Sequence, residues 1–360
     1  MSSWLESEKK GKCGASCYAC PYYRVLCPGC ITRICLVDRC IRGTSYTGIT
    51  YPNTFCRLRA YCVVGKGVRP EPEPPPEVKT KSMARAGLPR FTPIISTLDR
   101  RSWFWDAFPL PAICVRLGEL MLNKGALRAA SEKGLHDFLG YGGKIVLSTV
   151  MPDEVIDKLK PEDYLKAIAD LRPDVAMIPD NYTYIDDPLY RSWSQTVRLV
   201  RYAGAFLDLE IPMLGLIKGA ISKQVSWSIE KLAQMGYSSF AMPVRELIAQ
   251  DLLDGPLTTA LYTFKKAGAK PEFIFYGCSH RIWRVKEAGY ITLSWYLNAK
   301  RGLYDTGVKA RSVTYPDLKY VGCECDVCKG ARPYDIMYDV HRLSLHNLLQ
   351  QKARLEGKVT

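Results

Sequence analysis

Histidine is scarce in this sequence: 360 residues hold four, and none precedes His136. A mixed thiolate–imidazole zinc finger is thereby excluded from the first third of the chain. Long apolar runs are missing as well. None approaches the roughly 18–20 residues of a membrane-spanning helix, so no membrane partner is expected. The opening stretch, Met1-Ser-Ser-Trp-Leu-Glu-Ser-Glu-Lys-Lys10, lacks the apolar centre of a secretory signal, and a cytoplasmic location is the expectation. No glycine-rich phosphate fingerprint follows a strand-like run. Acidic residues are in deficit, 36 against 50 Lys and Arg, for a net charge of +14. A chain this basic favours a polyanionic partner, most simply nucleic acid. A hydrophobic fraction of 47% and a charged fraction of 24% exclude global disorder and allow a sizeable core.

Cysteine is abundant instead: 14 residues, nine of them within the first 62. Thiols clustered in a chain without a secretion signal point to metal before disulfides, which remain the alternative. Cys13, Cys17, Cys20, Cys27 and Cys30 are spaced C-x3-C-x2-C-x6-C-x2-C, and a proline follows the third. Four thiolates suit either a 4Fe–4S cluster or an all-thiolate zinc site, and the spacing leaves both open. Residues 1–66 carry ten Lys/Arg and three Asp/Glu, half of the excess charge. Arg24, Arg33, Arg39, Arg42, Arg57 and Arg59 are interleaved with Tyr18, Tyr22, Tyr23, Tyr46, Tyr51 and Tyr61. Nucleic-acid grooves combine such side chains, arginine on phosphate and tyrosine on bases; the arginines could equally offset thiolate charge. A small basic Cys-rich module over 1–66 is expected, followed by a Pro-rich linker over 67–88 built on Arg69-Pro-Glu-Pro-Glu-Pro-Pro-Pro-Glu77.

Beyond the linker the composition turns to that of an α/β protein. Short apolar runs at 92–98, 112–117, 144–149, 174–179, 212–217, 238–243, 272–277 and 290–295 read as strands, several of them buried on both faces. Helical stretches such as 161–171 and 225–236 lie between them, the second stopped by Gly236. Eight such alternations predict a (β/α)8 barrel over 89–321, with an open doubly wound sheet as the alternative. Functional residues of a barrel gather at the C-terminal strand ends. Those ends offer Asp99, Ser148, Asp180, Lys218, Arg245, Glu246, Cys278, His280, Ser294 and Trp295. Tyr182, Tyr184, Trp295 and Tyr296 flank them and could stack on a base or simply fill the core. Cys278 and His280 could form a nucleophilic pair, or be a buried thiol near a surface imidazole.

The final subdomain, 322–360, carries the sharpest local pattern. Cys323, Cys325 and Cys328 are spaced C-x-C-x2-C, and His341 and His346 follow. Residues 343–349 read as an amphipathic helix, from which His346 can reach back to the loop. Three thiolates and one imidazole make a closed, structural zinc site.

C-x-C-x2-C followed by a helical His-Asn-Leu at the end of a barrel resembles the tRNA-guanine transglycosylases. Gly134-Leu-His-Asp-Phe-Leu-Gly-Tyr141 is similar to the segment before that family's catalytic strand. Asp174-Val-Ala-Met-Ile-Pro-Asp180 resembles its D-I-x-M-x-x-D strand, whose last Asp reads the guanine edge. Gly215-Leu-Ile-Lys-Gly219 resembles G-I-V-Q-G, and Gly236-Tyr-Ser-Ser-Phe-Ala241 resembles G-F/Y-D-G-Y/F-A. The resemblance runs from about residue 90 to 355 with its motifs in the family's order. It implies base exchange at the N-glycosidic bond of guanine or a 7-deazaguanine in tRNA or DNA, and pairing as a homodimer or heterodimer through the zinc subdomain.

The departures fall on the catalytic positions. Ser148 stands where the family strand T-D-S-G-G-F/Y-Q carries an essential Asp, and Ser294 where it carries the nucleophilic Asp. Lys218 replaces a base-contacting Gln, and Met242-Pro-Val-Arg245-Glu246 replaces a glycine-rich base loop. An unaided serine hydroxyl is too weakly acidic to replace a carboxylate nucleophile. The expected site is therefore Asp180, Ser148 and Ser294, with Asp99 as an alternative carboxylate and Lys218, Arg245, Glu246 and Trp295 around the base. Two further readings stand: a non-catalytic nucleic-acid-binding paralogue or subunit, and an iron–sulfur-dependent base-modifying enzyme.

Overall fold

The computed structural model describes residues 80–183, 189–249, 252–277, 285, 287–307, 312–313 and 323–357. The expected Cys-rich module, including Cys13, Cys17, Cys20, Cys27 and Cys30, and also Tyr184, Cys278 and His280, lie outside the described residues.

Eight parallel strands close into a barrel. In chain order they and their helices are β1 (Phe91–Pro93), β2 (Ala112–Arg116), α1 (Leu117–Leu122), α2 (Lys124–Lys133), α3 (Leu135–Leu139), β3 (Lys144–Ser148), α4 (Asp153–Ile156), α5 (Pro161–Leu171) and β4 (Val175–Met177). There follow α6 (Leu189–Gly204), β5 (Met213–Leu216), α7 (Ser222–Met235), β6 (Ser239–Pro243), α8 (Arg245–Ala249), α9 (Asp254–Lys266), β7 (Glu272–Tyr276) and β8 (Gly289–Thr292). From β2 to β8 each strand pairs in parallel with its sequence neighbours, and β8 returns to β1 with Thr92 opposite Ile291. The last seam, β1 to β2, is held by a single bridge from Ile94 to Cys114, with the Ile95 N–H donating to the Cys114 carbonyl at 3.0 Å. Every strand-like run in the sequence is a strand, because residues buried on both faces leave a short uninterrupted apolar signature. Two runs exceed their strands most: at 92–98 the strand ends at Pro93, and at 290–295 it ends at Thr292, with Ser294 already beginning a helix.

Helix α5 shows how the outer layer is written. Pro161 opens it, and the Asp163 carboxylate accepts the Lys160 N–H at 2.8 Å. Tyr164, Ala167, Ile168 and Leu171 turn one stripe onto the sheet. Helix α7 ends at Gly236, whose φ of +105° suits glycine. A Cβ there would also lie 2.1 Å from the Lys81 carbonyl oxygen.

That contact marks a departure from the expected linker. Residues 81–88 run across the N-terminal end of the barrel as part of it, with Met83 and Ala86 buried. Lys81 and Met83 donate backbone N–H to the Met235 and Gly236 carbonyls at 3.0 and 3.1 Å. The Gly87 and Leu88 N–H groups end on the Glu272 carboxylate at 2.9 and 2.7 Å, and Lys144 Nζ donates to the Ala86 carbonyl at 2.7 Å.

After β8 the chain forms α10 (Ser294–Lys300), the short antiparallel pair β9 (Tyr304–Asp305) and β10 (Ser312–Val313), then α11 (Pro333–Met337) and α12 (Val340–Leu355). Helix α12 packs along α10 and against β1. Leu345, Leu348 and Leu355 join the barrel core, while Leu343 closes a second small core with Ala299, Tyr304, Cys328 and Ile336. Among the described residues no helix is long and apolar enough to cross a membrane.

Candidate active site and metal centre

The C-terminal strand ends gather two ion pairs and a buried hydroxyl pair. Asp180 follows β4 by three residues and Lys218 follows β5 by two, so adjacent strands bring them together. Lys218 Nζ lies 2.9 Å from Asp180 Oδ1, and the Asp180 side chain is 4% exposed against 19% for Lys218. The Asn181 N–H donates to the same oxygen at 2.7 Å, and the Asn181 side chain is anchored on the Gln195 carbonyl of α6 at 2.6 Å. Burial pushes the Asp180 carboxyl above its ordinary range, and the Lys218 ammonium opposes that shift.

Ser148, the last residue of β3, is fully buried and donates its hydroxyl to Tyr276 Oη at 2.8 Å. Burial raises the Tyr276 phenol, and the Cys114 thiol, Arg116 and Asp180 all contribute to its field, so these side chains share one neighbourhood. Arg116, the last residue of β2, bonds Glu119 Oε2 at 3.0 Å, and Glu119 also accepts the Ser96 hydroxyl. Sequence reasoning missed Arg116, Glu119 and Tyr276. For Arg116 a signal existed, a cation ending an otherwise apolar strand; for Tyr276 an aromatic at a strand end reads equally as core. Cys114 is fully buried within β2, and burial pushes its thiol far up, which makes it an inert packing group.

The other expected residues fall elsewhere. Asp99 caps a turn after β1. Both of its oxygens hold Arg101, each at 2.9 Å, and it also accepts the Tyr296 hydroxyl. The Arg101 guanidinium keeps its carboxyl well below the usual range. Asp99 is thus a spent carboxylate, held in a local cation–phenol cluster. Ser294 bonds Thr292 Oγ1 at 2.9 Å and donates to Gln351 Oε1 of α12 at 3.0 Å. Trp295, expected against a base, is corrected to core: it is fully buried, stacks edge-on with Phe104 at 5.8 Å and donates its indole N–H to the Ile94 carbonyl at 3.2 Å. Tyr296 is buried too. Arg245 and Glu246 open α8 directly after β6 and are exposed. Tyr182 is half-buried and donates to Asp157 Oδ1 at 3.0 Å.

The metal centre lies between the loop before α11 and helix α12. The ligand atoms of Cys323, Cys325, Cys328 and His346 all lie within 4.8 Å of one another. His346 Nδ1 stands 3.8, 3.4 and 3.2 Å from the three sulfurs. A tetrahedral zinc with ordinary Zn–S and Zn–N bonds sets such edges at about 3.5 Å, so the donor set fits. The His346 Nε2–H donates to the Asp305 carbonyl at 2.7 Å, leaving the Nδ1 lone pair for a metal, and Tyr304 stacks on the ring at 3.9 Å. Cys323 is held low by hydrogen bonds from Cys325 and Cys328, while Cys328 is pushed high by Cys323 and Cys325. Three thiolates coexist here only around a cation. This Cys3His group can hold a metal such as zinc. His341 is not part of it and bonds the Arg101 carbonyl at 3.0 Å.

The support behind the metal centre leads back to the barrel. Arg354 of α12 holds Asp305 with two bonds of 2.9 Å, both side chains 3% exposed. Gln351 donates to Asp305 Oδ2 at 3.4 Å while accepting Ser294. Asn347 accepts the Asp305 N–H at 2.8 Å and donates to the Leu303 and Trp295 carbonyls.

No family model matches the chain. Over 290 aligned residues, 74% of its length, it is 23% identical to the tRNA-guanine(15) transglycosylase of Sulfolobus acidocaldarius, of which the match covers 57%. The chain therefore spans little more than half of that curated relative. This distant similarity and the closed parallel barrel support a divergent, transglycosylase-like relationship.

Proposed function

We propose that the barrel acts on a purine of nucleic acid as a transglycosylase-like protein, exchanging guanine or a 7-deazaguanine at the N-glycosidic bond in tRNA or DNA. One observation carries the reading: Asp180, at the position that the resemblance assigns to reading the guanine edge, is buried at the C-terminal end of β4 beside Lys218. A carboxylate desolvated at a strand end suits the polar edge of a base better than it suits solvent. In this reading Arg245 and Glu246 line the rim, and residues 1–66 form a separate metal- or cluster-held clamp that grips the polyanion. The test is incorporation of radiolabelled guanine into tRNA and into DNA by the wild type and by Asp180→Ala. Incorporation that the variant loses is expected. No exchange into either nucleic acid removes the enzymatic reading.

The second reading, a non-catalytic nucleic-acid-binding subunit, is favoured by the two serines, whose hydroxyls serve Tyr276 and Gln351. It expects tight binding that weakens steeply with salt and no exchange. Iron, sulfide and zinc analysis after anaerobic purification decides the third reading, which requires iron at Cys13, Cys17, Cys20, Cys27 or Cys30. A colourless protein with zinc and no iron removes it.

A further inference from the structure

Resting on the base-exchange reading, we propose that Lys218 is the nucleophile of this site, attacking C1′ of the target nucleotide in place of a carboxylate, with Asp180 as its proton partner. The argument is one of elimination among the described residues at the mouth. Ser148 is fully buried with its hydroxyl donated to Tyr276, and Ser294 is turned to Gln351 on α12. Asp99 is bound by Arg101 through both oxygens. Cys114 is sealed within β2. The Arg116 guanidinium is a donor with no nucleophilic lone pair. Glu119 is held by Arg116 and by the Ser96 hydroxyl, and Glu246 stands exposed to solvent on the rim. Lys218 alone combines an amine, a side chain 19% exposed at the mouth, and a carboxylate at 2.9 Å able to take its proton. Burial favours the protonated form of that carboxylate. An amine that has handed its proton to a neighbouring group forms imines with sugar and carbonyl carbons.

The step balances without a redox partner. Lys218 passes one proton to Asp180, and its lone pair forms the Nζ–C1′ bond as the C1′–N9 bond breaks. The purine leaves with that electron pair and takes a proton from the new ammonium. Asp180 then protonates the ring oxygen O4′, the sugar opens, and a protonated imine joins Lys218 to C1′. Attack by an incoming base on C1′, with ring closure and release of the amine, returns Lys218 and completes an exchange.

The experiment uses the full chain with tRNA and with guanine-containing DNA, with and without sodium borohydride, which reduces an imine to a permanent secondary amine. Lys218→Arg is the diagnostic variant, because it keeps a cation for Asp180 and removes the nucleophile. A borohydride-dependent protein–nucleic-acid adduct, mapped to Lys218 by peptide mass spectrometry, is expected in the wild type. In Lys218→Arg the adduct should vanish and exchange fall by roughly 1,000-fold or more. Guanine exchange by the wild type with no trapped adduct, and undiminished in Lys218→Arg, would overturn the lysine proposal and leave the base-exchange reading standing. Absence of both exchange and adduct with either nucleic acid removes the reading, and the nucleophile with it.

Discussion

Replacing Lys218 by Met strips a buried carboxylate of its cation, and the consequence is a change in how stability depends on pH. At 2.9 Å, the Lys218–Asp180 attraction is about 6 kcal/mol for an effective dielectric constant of about 20. Desolvation of the ammonium offsets part of this, so the net loss falls in the range of about 3–5 kcal/mol seen when one partner of a buried pair is removed. Asp180 already has its carboxyl pushed up by burial, and loss of Lys218 raises it further. A group whose folded-state pKa is raised binds its proton more tightly in the folded protein. Its stability contribution is present below the ordinary aspartate value of about 4 and is lost as pH rises through the folded-state value. Each pH unit of that window is worth about 1.4 kcal/mol. The variant should therefore lie close to the wild type at pH 4.5 and fall progressively behind it towards pH 8. Urea unfolding of both proteins at half-unit pH intervals measures this. A deficit equal at both ends of the range, or no deficit, would refute the claim that Asp180 is a buried charge dependent on Lys218.

Three further outcomes follow from the packing. Arg354→Met leaves Asp305 buried without its guanidinium and should cost about 3–5 kcal/mol; as a group behind the His346 contact, its loss should weaken zinc binding by roughly 10–100-fold, read by competition with a chromogenic chelator. Trp295→Ala should cost about 3–5 kcal/mol as a core truncation, seen in urea unfolding, while the folded fraction keeps its nucleic-acid affinity in a filter-binding assay. Glu272→Ala removes the acceptor of the Gly87 and Leu88 N–H groups and of the Ser239 hydroxyl; it should cost about 1–3 kcal/mol and open residues 81–88 to limited proteolysis.

The hydrogen-bond pattern gives Ser294 a role that its position in the motif does not suggest. It ties the β8–α10 junction to Gln351, which reaches Asp305, whose carbonyl orients His346. A strand end that resembles a nucleophile position thus serves here as a joint between barrel and metal centre. Its hydroxyl is committed to that joint through Thr292 and Gln351.

Sequence alone was sufficient for the barrel and for the Cys3His group, and the reasons are local. A strand buried on both faces leaves a short apolar run whatever its neighbours are; β2 to β7 stand within such runs, and β1 and β8 overlap theirs. Three thiols within six residues, followed by a helical histidine, converge through turn and helix geometry alone. The spacing did not choose between His341 and His346; helix phase did, by turning His346 inward under Tyr304 and His341 towards Arg101. Tertiary structure decided the rest. Asp180 meets Lys218 because β4 and β5 are neighbours, although 38 positions separate the two residues. Asp99 is consumed by Tyr296, and Trp295 is covered by Phe104, through contacts that no window of sequence contains. Residues 81–88 follow a proline-rich spacer in composition, yet lie against the barrel because Glu272, Ser239 and Gly236 present acceptors and space at its N-terminal end. Local pattern reports how much of a residue is buried; which residue it is buried against depends on how the barrel closes.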